Sequence, residues 1–231
     1  MLILGIDTTG RSLSVALLSG ETLLGEITIG AVRGQAGLAM DSISRLFEVA
    51  GLNPAQLDGV AVTNGPGGFT GVRLGVSLAK GLCLGLEKPV AAVSSLQALA
   101  FQALAPGFTT WAVLDCLKNE VYAASYSQCP DGPVETSQAS VMKPEELAER
   151  MSGPCLIVGD GALRHEGLLT AGGLARLAPR PCHVIRAATV AMLGSRLLPE
   201  AKIDSADSLL PFYLRGSDAR LPAKPLRCKS A

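Results

Sequence analysis

The chain has 231 residues, 48% of them hydrophobic and 17% charged, a globular composition that excludes general disorder. Its 20 basic and 20 acidic residues cancel, which argues against autonomous nucleic-acid binding through a basic face, and 4% aromatics are too few for a base-stacking platform. Six cysteines (83, 116, 129, 155, 182 and 228) without a C-x-x-C pair, and two distant histidines (His165 and His183), give no zinc pattern, no metallopeptidase motif and a poor start for a histidine triad; reduced, mostly buried thiols are the simplest reading.

Met1–Asp7 is continuously apolar up to its aspartate and reads as a buried strand; it lacks the basic region and cleavage site of a signal peptide. Asp7-Thr8-Thr9-Gly10 is a turn. Leu13, Val15 and Leu17 alternate with smaller residues as a second strand, Ser19-Gly20 turns, and Glu21–Ile29 forms a third, so the chain opens as a β-meander. From Gln35 to Ala50, Ala39, Met40, Ile43, Leu46, Phe47 and Ala50 recur at helical spacing, and Gly51 fits the helix end. Asn53-Pro54 opens a short helical turn, and Leu57–Val62 returns to strand. A glycine-rich loop follows, then a helix from about Gly71 to Leu86. Its apolar run from Leu74 is too short to cross a membrane and contains Lys80, so a cytoplasmic protein is expected. Lys88–Val93 is a strand, and Ser94-Ser95 can cap a helix from Leu96 to Leu104.

Pro106-Gly107 is the best boundary, giving a first lobe of residues 1–105 and a second of 106–215. In the second, Trp111–Leu114 runs to Asp115, Glu120–Ser127 alternates, Cys129–Pro133 turns, and Pro144-Glu145-Glu146 starts a helix. Leu156–Val158 is a strand ending in the Gly159-Asp160-Gly161 turn. Ala187–Leu198 is a last helix, which can pack back on the first lobe, and 216–231 is a polar, proline-rich and finally basic tail. Strand, aspartate and hairpin recur coarsely at Asp7 and Asp115.

Two features carry chemistry. The stretch Val60 to Gly75 reads strand, glycine turn, helix, the layout that brings backbone N–H groups to a phosphate. It has Thr70 where a Rossmann turn needs glycine, and no lysine for a P-loop, so a tight structural turn is an equal reading. Asp7, Thr8 and Thr9 at a strand end, with Asp115 as the second-half counterpart, can orient a hydrated magnesium and a phosphate, or simply close hairpins. The candidate nucleotide set, read as vestigial, is therefore Asp7, Thr8, Thr9, Gly65, Gly67, Gly68 and Asp115. The second feature is a four-residue stripe of small side chains on the long helix, Gly71, Gly75, Ala79 and Cys83, which admits a close backbone. The rest of that helix is apolar almost all round, more than one small lobe readily hides. With Leu82 and, from the earlier helix, Ile43 and Phe47, the stripe is expected at a partner interface, with two-fold self-association when no partner is present.

Ile3-Leu4-Gly5-Ile6-Asp7-Thr8-Thr9, the run Gly65 to Gly75, Ala79-Lys80-Gly81-Leu82 and Pro89-Val90-x-x-Val93-Ser94-Ser95-Leu96 closely resemble the TsaB (YeaZ) family, as do Asp115-x-x-x-x-Glu120-Val121-Tyr122 and Pro211-x-Tyr213-Leu214-Arg215. The likeness covers nearly the whole chain and is densest over 1–104; the glycine run is shared with the catalytic paralogue TsaD. The resemblance implies an α/β fold of two related lobes of the actin/hexokinase/Hsp70-like (ribonuclease H-like) type, each a mixed sheet with helices. It implies a non-catalytic scaffold of tRNA threonylcarbamoyladenosine (t6A) synthesis. Its partners would be a TsaD-like catalytic subunit and a TsaE-like ATPase, with tRNA met only through the complex and a homodimer formed alone. In TsaD a helix carries two metal-binding histidines; the corresponding helix here, after Arg33, has none, and Gln35-Ala36 stand where most of the family has His-Ser. No metal and no cofactor beyond weakly bound nucleotide is expected. A small actin-fold ATPase or kinase, and more weakly a glycoprotease-like metallopeptidase, are the competing classes.

Overall fold

The computed structural model describes residues 1–30, 35–129, 132–202 and 205–215. Arg33, Gly34 and the 216–231 tail lie outside the described residues, as do the side chains of Gln35 and Ala36. The first three strands, β1 (Leu2–Asp7), β2 (Leu13–Ser19) and β3 (Thr22–Ile29), form the expected antiparallel meander. After α1 (Gln35–Ala50), β4 (Gly59–Gly65) pairs parallel to β1, and α2 (Phe69–Leu86) crosses over to β5 (Val90–Ser94), parallel to β4. The sheet order is β3-β2-β1-β4-β5. α3 (Ser95–Ala103) follows at once, with the Ser94 hydroxyl accepting from the Gln97 N–H as its cap.

The second half repeats this plan. β6 (Thr109–Asp115), β7 (Val121–Cys129) and β8 (Gly132–Met142) are antiparallel. Then come α4 (Pro144–Arg150), β9 (Cys155–Val158), α5 (Asp160–Arg164), α6 (Glu166–Leu169) and β10 (Ala175–Leu177), with β9 parallel to both β6 and β10. The order β8-β7-β6-β9-β10 matches the first sheet strand for strand, so Asp7 and Asp115 are equivalent ends of equivalent strands. Two expectations are corrected here. Gly132 and Pro133, expected in a turn, begin the strand Gly132–Met142, and Asp160 starts a short helix instead of closing a loop.

The last helices, α7 (Ala187–Leu197) and α8 (Ser205–Ser208), are numbered with the second half but pack on the first sheet, α7 across β1, β2 and β4 and α8 against α2 and β5. Only glycine allows the α7 contact: a Cβ on Gly5 would run into the Ala187 carbonyl, and one on Gly194 into Ala61. Three apolar clusters result. One lies under α1 and α2, one between the two sheets around α3 and α7, and one on the far side of the second sheet. α2 begins earlier than the sequence indicated, and its 18 residues are long and apolar enough to cross a membrane by length and composition. It is instead a crossover helix, with Val72, Val76, Ala79 and Cys83 buried on the sheet.

The start of α7 is capped from another element. Ser14 Oγ accepts from the Ala187 N–H at 2.9 Å, and Glu26 Oε1 from the Ala188 N–H at 3.1 Å, while Glu26 Oε2 pairs with Arg186. The Glu26 side chain is 4% exposed, and removing it leaves the part-buried Ala188 N–H without its acceptor at a positive helix end. Glu26→Ala should cost about 2 kcal/mol in urea unfolding, and Glu26→Gln, which keeps the Oε1 acceptor, clearly less. Equal losses would show that the cap does not contribute.

Candidate functional site

β1 and β4 are parallel neighbours, so their C-terminal ends place the Asp7–Thr9 turn beside the Gly65–Gly71 loop, the position where open α/β sheets take ligands. Here the two segments are spent on each other. The Thr8 hydroxyl donates to the Gly71 carbonyl at 2.7 Å, and the Gly68 N–H to the Thr9 carbonyl at 2.8 Å. Thr9 Oγ1 donates to Asp7 Oδ1 at 2.7 Å and accepts from Ser95 Oγ at 3.3 Å. A Cβ on Gly67 would lie 2.6 Å from the Thr9 carbonyl oxygen, and one on Gly71 would run into the Thr8 carbonyl. The glycines thus serve loop-to-loop packing, and the hydroxyls expected to face a phosphate are already engaged.

Asp7 is fully buried. Its Oδ1 accepts from the Thr63 hydroxyl at 2.6 Å, the Thr9 hydroxyl, and the Thr9 N–H at 3.3 Å, whereas Oδ2 is buried without a hydrogen-bond partner among the described residues. Burial pushes its carboxyl above the usual range, against the weaker pull of the Thr63 and Thr9 hydrogen bonds. Thr63 and Ser95 were missed in the sequence; Thr63 is two residues before Gly65 on the strand that fixes it, and that adjacency was the available signal.

Asp115, the counterpart, is ion-paired: Oδ2 meets Arg164 at 2.5 Å and Oδ1 accepts from the Leu117 N–H. Its own N–H donates to Asp160 Oδ1 at 2.9 Å. Burial raises the Asp160 carboxyl, against the weaker pull of the hydrogen bond from the Asp115 N–H. No group of three or more His, Cys, Asp or Glu placed to hold a metal occurs among the described residues. His183 is buried on backbone, its Nε2 2.9 Å from the Ala178 carbonyl.

The C-terminal segment crosses this region. The Phe212 N–H donates to the Asn64 carbonyl at 2.7 Å, and a Cβ on Gly65, whose φ is +119°, would run into the Phe212 carbonyl. Tyr213 stacks on Phe69 at 5.5 Å and accepts from Arg73 Nε at 2.9 Å, with the Arg73 guanidinium 3.7 Å above the Phe69 ring. Arg215 then pairs with Glu120 at 3.0 Å in the second half. Of the nucleotide candidates, the structure brings Asp7, Thr8, Thr9, Gly65, Gly67 and Gly68 together and leaves Asp115 in a separate ion pair.

The expected interface set needs correction. Ile43, Phe47, Ala79 and Cys83 are at most 4% exposed, and a Cβ on Gly75 would lie 2.6 Å from Thr8 Oγ1. The Gly71, Gly75, Ala79 and Cys83 stripe therefore faces the chain's own β1 turn and β4, because the crossover helix needs small residues to settle on its sheet. Leu82 is half-buried at the edge. The outward face of α2 carries a second small stripe, Ser77, Gly81 and Gly85, beside Leu84, which is 59% exposed; a Cβ on Gly81 or Gly85 meets nothing within 4 Å.

A family model described as TsaD, tRNA N6-adenosine threonylcarbamoyltransferase, matches residues 31–157. The chain is 30% identical over 225 residues to the tRNA threonylcarbamoyladenosine biosynthesis protein TsaB of Bacillus subtilis (strain 168), covering 95% of this chain and 96% of that one. It is 32% identical over 234 residues to the TsaB of Escherichia coli (strain K12), covering 97% and 100%. Among solved structures, YeaZ from Pseudomonas aeruginosa matches with a TM-score of 0.79 at 26% identity, over 92% of this chain and 99% of that one. The ROK hexokinase of Thermus thermophilus, at a TM-score of 0.50 and 13% identity over 86% of this chain and all of that one, shares the fold alone. The two-lobe actin/hexokinase-like architecture is thereby established.

Proposed function

The chain belongs to the TsaB family of tRNA threonylcarbamoyladenosine biosynthesis proteins, and from that premise we propose that it is the non-catalytic partner subunit of a TsaD-like threonylcarbamoyltransferase. The observation that carries this reading is the two-sided α2. Its inner small stripe is consumed by the chain's own sheet, while its outer stripe of Ser77, Gly81 and Gly85 leaves the helix open to a close approach next to exposed Leu84. Two helices can dock there at short range, with Leu84 as the adjoining apolar contact. Alone, the same face serves a homodimer; in the complex a TsaE-like ATPase joins, tRNA is met through the assembly, and the assembly works in the cytoplasm.

Gly81→Arg tests this without disturbing the fold, since that position is open. Affinity for a TsaD-like catalytic subunit should fall at least about tenfold by calorimetry, roughly 1.4 kcal/mol, with the melting temperature unchanged. Unchanged affinity would overturn the reading. One observation favours a second reading, a small ATPase: the unpartnered Asp7 Oδ2 sits where a hydrated cation could be held. Against it stand the engaged hydroxyls of Thr8 and Thr9 and the glycines filled by backbone. Calorimetric titration with magnesium and ATP separates the two; sub-millimolar binding by the isolated chain would favour the ATPase.

A further inference from the structure

The C-terminal segment is anchored on the first half and reaches the second at Phe212 and Arg215. Leu209, just before it, is buried in the core beneath α1 and α2. Phe212 and Leu210 are tied through backbone to Asn64 at the end of β4, where the Asn64 amide donates to the Leu210 carbonyl at 3.3 Å. Phe212 also lines a cavity of about 390 Å³ between the halves, facing Ser94 and Gln97 on one side and Tyr126 and Glu135 on the other. Arg215 finally reaches Glu120 at 3.0 Å and the Cys116 carbonyl at 3.4 Å, in the hairpin that follows Asp115.

That hairpin is unusual. Leu117, Lys118 and Asn119 all have positive φ (67°, 53° and 58°), a left-handed run that non-glycine residues rarely sustain. Such backbone persists only where surrounding contacts over-determine it, and the Arg215 contacts at Cys116 and Glu120 flank it on both sides. The Arg215 and Glu120 side chains are 26% and 30% exposed, so the pair is partly shielded from water and worth more than a free surface pair.

We propose that residues 210–215 form an intramolecular latch that, beside the apolar core the two sheets share, couples the glycine loop of the first lobe to the Asp115 hairpin of the second, so that the two open together. The segment bridges the cleft from one strand-end turn to the other and couples them mechanically. Its first-lobe anchor, Tyr213 on Phe69 and Arg73, also ties it to the first turn of α2.

Amide hydrogen exchange on the full chain tests the coupling, because linkage between two ends of one latch must be reciprocal. Arg215→Ala removes only the second-lobe anchor, yet it should raise exchange about fivefold or more over 64–72 as well as over 116–121. Tyr213→Ala removes the Phe69 and Arg73 contacts, weakening the first-lobe side alone, and should raise exchange over 116–121 as well as over 64–72. Glu120→Gln should reproduce the Arg215→Ala pattern. The proposal is overturned if each variant changes only its own end, if neither changes anything, or if exchange rises uniformly through β2 and β7, which would mark a general loss of stability.

Discussion

Gly71→Leu and Gly75→Leu should melt the monomer early, by about 3 kcal/mol or more for Gly71, whether or not a partner is present. The Cβ at position 71 would run into the Thr8 carbonyl, a backbone group that cannot rotate away, and the one at 75 would press on the Thr8 hydroxyl that bonds Gly71. Overpacking by added methylenes alone costs roughly 1–3 kcal/mol, and a backbone neighbour adds to that. Ala79→Leu, fully buried on the same stripe, should follow in the same direction. Gly81→Leu, one face away and open, should leave the urea midpoint close to the native value. Native-like unfolding of both Gly71→Leu and Gly75→Leu would mean that the stripe does not seat α2 on the sheet.

Asp7→Asn should stabilise the protein increasingly as the pH rises. The folded-state pKa of Asp7 lies above its ordinary value of 3.8 because burial disfavours the charge. The contribution of this group to stability is therefore full below about pH 3.8 and is lost as the pH climbs through the raised value. Above that raised value the wild type carries a buried carboxylate with one oxygen unpartnered among the described residues, a burden of about 1–3 kcal/mol. Asparagine keeps the oxygen that accepts from Thr63 and Thr9 and removes the charge. The gain should vanish near pH 4, and urea midpoints across that range check it. Parallel stability curves for the two proteins would refute the assignment.

Much of this protein was legible from local pattern. The apolar run ending at Asp7, the alternation of β2 and the 3.6-residue period of α1 each encode burial against a single neighbour, and each formed as read. The motif residues of the TsaB resemblance fixed the family for the same reason: glycines at a strand–helix turn are specified by backbone geometry that the sequence states directly. β8 was not legible. It is an edge strand of mostly polar, partly exposed residues, held by pairing to β7 and lacking an apolar face of its own.

The orientation of α2 was decided only by tertiary structure. Two small stripes lie on that helix, Gly71-Gly75-Ala79-Cys83 and Ser77-Gly81-Gly85, and sequence spacing treats them alike. The parallel crossover from β4 to β5 presses the first onto the sheet and leaves the second outside, which moved the candidate partner face by a third of a turn or more. Tertiary structure likewise put Thr63 on Asp7, from 56 residues away, and Arg215 on Glu120 across the lobes. Sequence by itself determined the family and the elements with a strong apolar period, most of them in the first half. Which face is inside, which hydroxyls are free and what bridges the lobes depend on contacts between distant segments, and only the packed chain contains those.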